Sequence, residues 1–215
     1  MQVFTVQEIL DQFGGEDIFL PYIDLALANS VTHGLFSRET YLPELKKLIA
    51  DCLIPFSGLI PNLTLEDYRQ LLDIGSGGGL PALPLAIANR ETSITMVERN
   101  QTKAAFLKMA LSKLDLNGEV RSIDLSSRLS SDFSSRSRLD PSSEGFDLAT
   151  MRWVKATDSM LKEIFNYLST GASLVYYSAV PENLKDSPRW KCQTFSYRFS
   201  DDTLNSRTVT KITLR

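Results

Sequence analysis

At 215 residues the chain suits one α/β domain with a modest extension. Its hydrophobic fraction of 43% and charged fraction of 23% are those of an ordinary soluble globular protein. No apolar run approaches the length of a membrane span, and a net charge of −3 gives no global electrostatic case for nucleic acid, so any RNA surface must be a local patch.

The opening Met1-Gln2-Val3-Phe4-Thr5 lacks the basic and apolar regions of a signal peptide. Cys52 and Cys192 are far apart, which argues against a disulfide framework and for a reducing, cytoplasmic setting. Both read as small buried hydrophobes rather than nucleophiles. The single His33 cannot build a histidine metal cluster, and no Cys/His spacing points to zinc, so no metal is expected.

Taken in order, residues 1–60 read as a helical N-terminal extension, and 61–215 as the main domain. Val6 to Phe13 is a short amphipathic piece stopped by Gly14-Gly15, and Ile18 to Ala28 is apolar at helical spacing. Ser37 is placed to cap a third helix, Glu39 to Leu53, with Leu42, Leu45, Leu48, Ile49 and Leu53 on one face. Lys46 and Lys47 project elsewhere, either into solvent or toward phosphate. Pro55, Gly58 and Pro61 mark the link into the main domain.

Strands and helices then alternate. The pattern predicts strand 70–74, helix 81–90, strand 93–98, helix 101–115 and strand 119–124. Residues 126–145, crowded with serine, carry too little apolar side chain to order themselves and predict a flexible loop beside the ligand site. Strand 146–151, helix 156–168 and strand 172–178 follow, with Thr194–Arg198 and Arg207–Leu214 as closing strands. Such alternation implies a mostly parallel sheet wrapped by helices, with ligands at the C-terminal strand ends.

The most informative stretch lies at one of those ends: Leu71-Leu72-Asp73-Ile74-Gly75-Ser76-Gly77-Gly78-Gly79-Leu80-Pro81. A buried strand runs into an acid, a glycine turn and a proline-led helix, whose first-turn N–H groups are free. Glycines at 75, 77 and 79 let the backbone approach a ligand that any Cβ would push away. A dinucleotide fingerprint needs a third glycine where Leu80 stands, so nicotinamide chemistry is disfavoured. The acid-x-G-x-G-x-G spacing is instead that of class I methyltransferases, which bind S-adenosylmethionine (SAM). A second anchor, Glu98, ends the next strand about 20 residues on, where an acid binds ribose hydroxyls.

The run Leu72 to Ile87, with Pro81 and Pro84 after the glycines, resembles the RsmG (GidB) family, enzymes that methylate N7 of a guanine in 16S ribosomal RNA. Val97-Glu98 with Lys103, Phe106 and Leu107 resembles the family's next block. Phe146 to Arg152 resembles its strand-ending Ser-Arg block, with Met151 in place of Ser. The resemblance implies a Rossmann-like class I methyltransferase fold with a mostly parallel seven-stranded sheet and a helical N-terminal extension. It implies SAM as cofactor, and 16S ribosomal RNA or the small subunit as partner. Asp73, Gly75, Ser76, Gly77, Gly79, Leu80, Glu98, Asp124, Leu125 and Arg152 become candidates for cofactor binding; Lys46, Lys47 and Arg152 become candidates for substrate binding. Guanine N7 carries a free lone pair, so no catalytic base is called for. Trp153, Tyr176 and Tyr177 are candidates for stacking on an extruded base.

The sequence also departs from the family. Its His-x-x-Asp-Ser becomes Leu48-Ile49-Ala50-Asp51-Cys52, and its Lys-Gly after the fifth strand falls near Tyr177-Ser178. These departures keep two alternatives open: a non-catalytic SAM- or RNA-binding module, and a small-molecule methyltransferase.

Overall fold

The computed structural model describes residues 1–36, 41–123, 145–185, 187–202 and 205–215. The expected cap Ser37, the candidates Asp124 and Leu125, and all but the last residue of the Ser-rich loop lie outside these.

An N-terminal strand β1 (Gln2–Phe4) is followed by helices α1 (Val6–Gln12), α2 (Leu20–His33) and α3 (Leu42–Leu53). The alternating part comprises β2 (Gln70–Ile74), α4 (Ala82–Ala88), β3 (Ser93–Val97), α5 (Gln101–Lys113) and β4 (Gly118–Arg121). It continues through β5 (Phe146–Met151), α6 (Asp158–Asn166), β6 (Leu168–Tyr176), α7 (Glu182–Lys185), β7 (Trp190–Phe199) and β8 (Arg207–Leu214). The caps explain several boundaries. Thr5 and Thr157 accept main-chain N–H bonds at the starts of α1 and α6, and Asn100 accepts two at the start of α5. Gly34, in left-handed conformation, ends α2.

Among the described residues the sheet has eight strands in the order β1-β7-β8-β6-β5-β2-β3-β4. All pairs are parallel except β6–β8 and β7–β8. The expectation of seven strands is therefore one short. Gln2–Phe4 pairs in parallel with Tyr197–Phe199, so the extension begins with an edge strand before it becomes helical. Three residues are too few for a period to show, and their partner lies almost the whole chain away.

Side chains alternate between two cores. On one face Leu71, Met96, Tyr197 and Phe199 join Leu83 and Phe106 from the main-domain helices, with Tyr22 and Ile49 from the extension. On the other, Leu72, Ile74 and Leu174 pack with Leu161, Phe165 and Trp190, the last two rings stacked at 5.4 Å. The extension and the glycine-loop helices thus share one core: α2 packs on α5 and α3 on α4. Among the described residues no helix is long and apolar enough to cross a membrane, and no His/Cys/Asp/Glu group is arranged to hold a metal.

Candidate active site

Parallel strands leave a crevice beyond their C-terminal ends. Here it is a cavity of about 740 Å³ over β2, β3, β4 and β5. Gly75, Ser76, Gly77, Gly78 and Leu80 form one wall, Glu98 and Ile123 another, and Arg152 to Lys155 with the first turn of α6 a third.

The glycine loop is held from several sides. Gly75 and Ser76 donate N–H bonds to the Val97 carbonyl, at 2.8 and 3.1 Å, which ties the loop to the end of β3. Gly77 N–H donates to Glu98 Oε2 at 2.8 Å, and Asn100 N–H to Glu98 Oε1 at 2.7 Å. From the extension, the buried Tyr22 hydroxyl donates to the Gly78 carbonyl at 2.8 Å. Gly75 has φ +74°, and a Cβ there would stand 2.4 Å from a methyl of Val154. No side chain fits at this position without moving the opposite wall.

Asp73 does not reach the cavity. It is fully buried under the loop, where the Thr150 hydroxyl donates to Oδ1 at 2.6 Å. Burial pushes its carboxyl up to about 6. Gly79 does not line the cavity either. With φ +94° and the Leu83 side chain 2.3 Å from where a Cβ would be, it lets α4 pack under the loop.

Arg152 is 4% exposed and lines the cavity at the end of β5. Its guanidinium donates to Asp51 Oδ2 at 2.7 Å and lies 4.0 Å over the Trp153 ring. Asp51 Oδ1 also accepts from the Tyr197 hydroxyl at 2.6 Å and pairs with Arg207 at 3.1 Å. This network ties α3, β5, β7 and β8 together. Next to it, the Tyr177 hydroxyl donates to the Cys52 carbonyl. Burial pushes the Cys52 thiol up to about 12, so it stays a neutral packing group.

Lys46 and Lys47 are not brought to this site. Lys46 pairs with Glu16, and Lys47 with Asp201 while lying over the Phe199 ring. The phase of α3 explains it: Leu45 and Ile49 point into the core and Leu48 and Asp51 toward the Arg152 network, while Lys46 falls away from both and Lys47 flanks Asp51 at the Phe199 ring, which Arg207 also covers. Tyr176, a stacking candidate, is buried in the core. The cations at the mouth of the cavity are Arg99, Lys103 and Lys155. Arg99 and Lys155 were available to sequence reading by position alone, since each follows a strand whose C-terminal end faces the crevice. Three cations thus line the cavity of a chain whose net charge is −3.

The strand order, the glycine loop after β2 and the acid after β3 define a class I methyltransferase fold. Solved structures agree at the level of fold. An O-methyltransferase from Bacillus cereus in complex with SAH superposes with a TM-score of 0.60, at 13% identity over 90% of each chain. The O-methyltransferase TomG from Streptomyces achromogenes, in complex with SAM, gives 0.58 at 14% identity, over 90% of this chain and 89% of its own. Within that class, the profile of the rRNA small subunit methyltransferase G family, GidB, matches residues 16–196, and the chain belongs to this family.

Among curated relatives, "Ribosomal RNA small subunit methyltransferase G" of Helicobacter acinonychis is 29% identical over 170 residues, 79% of this chain and 84% of its own. The protein of the same name from Neisseria meningitidis is 34% identical over 102 residues, 47% of this chain. The matched stretch spans about half (46%) of the Neisseria protein's length.

Proposed function

We propose that this chain transfers a methyl group from SAM to N7 of a guanine in 16S ribosomal RNA, working in the cytoplasm. The observation that carries the reading is one cavity with a glycine loop and a buried acid on its walls and a basic rim on an otherwise acidic protein.

The residues present fit the cofactor. The main chain at Gly75 and Gly77 is open to the methionine end, since a Cβ at 75 would close it against Val154. Glu98 already accepts two main-chain N–H bonds, one on each oxygen. A carboxylate has about four acceptor positions, so lone pairs remain for ribose hydroxyls. Leu80 and Ile123 offer apolar surface to the adenine. When bound, SAM supplies an electrophilic methyl on a positively charged sulfur.

The chain's own task is then alignment, which can supply much of a methyl-transfer rate. N7 needs no deprotonation, so no residue has to act as a base. The methylated base becomes cationic. Asp51 offsets the Arg152 charge beside the cavity and so lowers the repulsion that product would meet. Arg99, Lys103 and Lys155 are placed to meet phosphates.

The test is calorimetric titration with SAM, for the natural chain and for Gly75→Arg, followed by labelled SAM with small-subunit RNA lacking the N7 methyl group. Binding by the natural chain alone, with label entering the RNA, is the expected result. A folded chain that binds no SAM, or binds it and labels no RNA, overturns the reading.

A further inference from the structure

A second cavity, of about 400 Å³, adjoins the first, and Arg152 and Trp153 line both. Its remaining wall comes from α3, the end of β6 and the β7–β8 hairpin, and includes Glu44, Asp51, Tyr177 and Arg207. A methyl acceptor must meet the cofactor cavity from a neighbouring space, and this one shares Arg152 and Trp153 with it.

Two residues in it have no role in the cofactor reading. Trp153 has φ +57°, a conformation a bulky residue rarely adopts, and the residue is 69% exposed although its ring lies on the Arg152 guanidinium. Backbone strain of this kind collects at functional sites, and here it turns a large ring outward at the junction of the two cavities. Glu44 lies in the first turn of α3 and is partly exposed. The cavity's other carboxylate, Asp51, is engaged on both oxygens, by Arg152 on one and by Tyr197 and Arg207 on the other.

We propose that this second cavity receives the acceptor guanine, with Trp153 stacking on the base and Glu44 accepting hydrogen bonds from its N1–H and N2–H2 edge. The inference rests on the ribosomal RNA reading above and deepens it. The chemistry is directional. N7 lies on the edge next to the N1/N2 pairing edge, with O6 between them, so a base whose N1/N2 edge enters the second cavity keeps N7 uncovered for the first. Guanine presents two parallel donors on that edge and adenine does not, so a carboxylate there selects guanine. Extruded bases are commonly read in this way, by stacking and by hydrogen bonds to the pairing edge.

The experiment compares Glu44→Gln, Trp153→Ala and Trp153→Phe with the natural chain in RNA labelling from SAM. SAM affinity and thermal midpoint are measured on each. Glu44→Gln should lower kcat/KM for RNA by about tenfold to a hundredfold, the usual worth of a bidentate base contact, with SAM affinity and midpoint unchanged. Trp153→Ala should lose a similar factor, and Trp153→Phe, which keeps an aromatic face, should recover most of it. Active natural chain with Glu44→Gln and Trp153→Ala equally active overturns the pocket and leaves the functional reading standing. Natural chain that binds SAM and labels no RNA overturns the functional reading instead, and the guanine pocket with it.

Discussion

Asp51 is the buried residue whose loss should be felt most widely. It is 5% exposed, and Arg152, 4% exposed, donates to it at 2.7 Å. Removing the carboxylate leaves a guanidinium out of bulk water with no counter-charge, which costs about 3–5 kcal/mol. The Tyr197 hydroxyl, bonded at 2.6 Å, loses its acceptor as well. The second cavity brings solvent to one side of the pair, which sets the expected loss for Asp51→Leu near the lower end, about 3 kcal/mol. For a protein of this size each kcal/mol moves the midpoint by about 2–4 °C, so calorimetry should show a fall of roughly 6–12 °C. Asp51→Asn keeps an acceptor for Tyr197 and should lose less. A chain carrying both Asp51→Leu and Arg152→Met should recover much of the loss, because a buried pair exchanged for apolar side chains is often neutral. A midpoint within 2 °C of the natural chain for Asp51→Leu, or a double variant no better than the sum of its parts, would refute the argument.

Burial raises the Asp73 carboxyl from 3.8 to about 6. The folded form therefore binds this proton more tightly than the unfolded chain, so the contribution is present at low pH and is lost as pH rises through about 4 to 6. Relative to the natural chain, Asp73→Asn should gain up to roughly 3 kcal/mol across that window and then level off, as read by urea unfolding at each pH. Tyr22→Phe strands the Gly78 carbonyl and should cost about 1–3 kcal/mol in the same assay, with weaker SAM binding because the loop loses its tie to α2. Lys46→Ala and Lys47→Ala remove pairs worth about 0–1 kcal/mol each and should leave RNA labelling unchanged; a large loss would return these lysines to the RNA surface.

What the sequence made legible was local. The glycine spacing, the acid ending β3 and the alternation of strand and helix are short-range patterns, and the loop with Glu98 formed where they placed it. Helix α5, expected over 101–115, forms over Gln101–Lys113 and buries Phe106, Leu107, Ala110 and Leu111. What escaped was set by contacts between distant segments. β1 exists because β7 offers an edge to three residues that carry no period of their own. Asp73 and Gly79 belong to the motif, yet they serve the loop from below rather than the cavity. The phase of α3 sent Lys46 and Lys47 to Glu16 and Asp201, a result that depends on residues more than a hundred positions apart in the latter case.

Arg152 shows why the two halves of the site were unequally readable. As the last residue of a motif it is a candidate for both cofactor and substrate, and the structure gives it a pair with Asp51 and a place on both cavity walls. Two of the departures from the family pattern, Leu48 and the Tyr177-Ser178 pair, line the second cavity, whereas Cys52 and Met151 lie in the core. A cofactor is recognised mainly by backbone and one acid, which a motif records. An acceptor is held by side chains drawn from α3, β5, β6 and β8, whose positions only the fold brings together. Divergence at Leu48, Tyr177 and Ser178 is therefore where a change in the base presented, or in its surroundings, would leave its mark without disturbing the first.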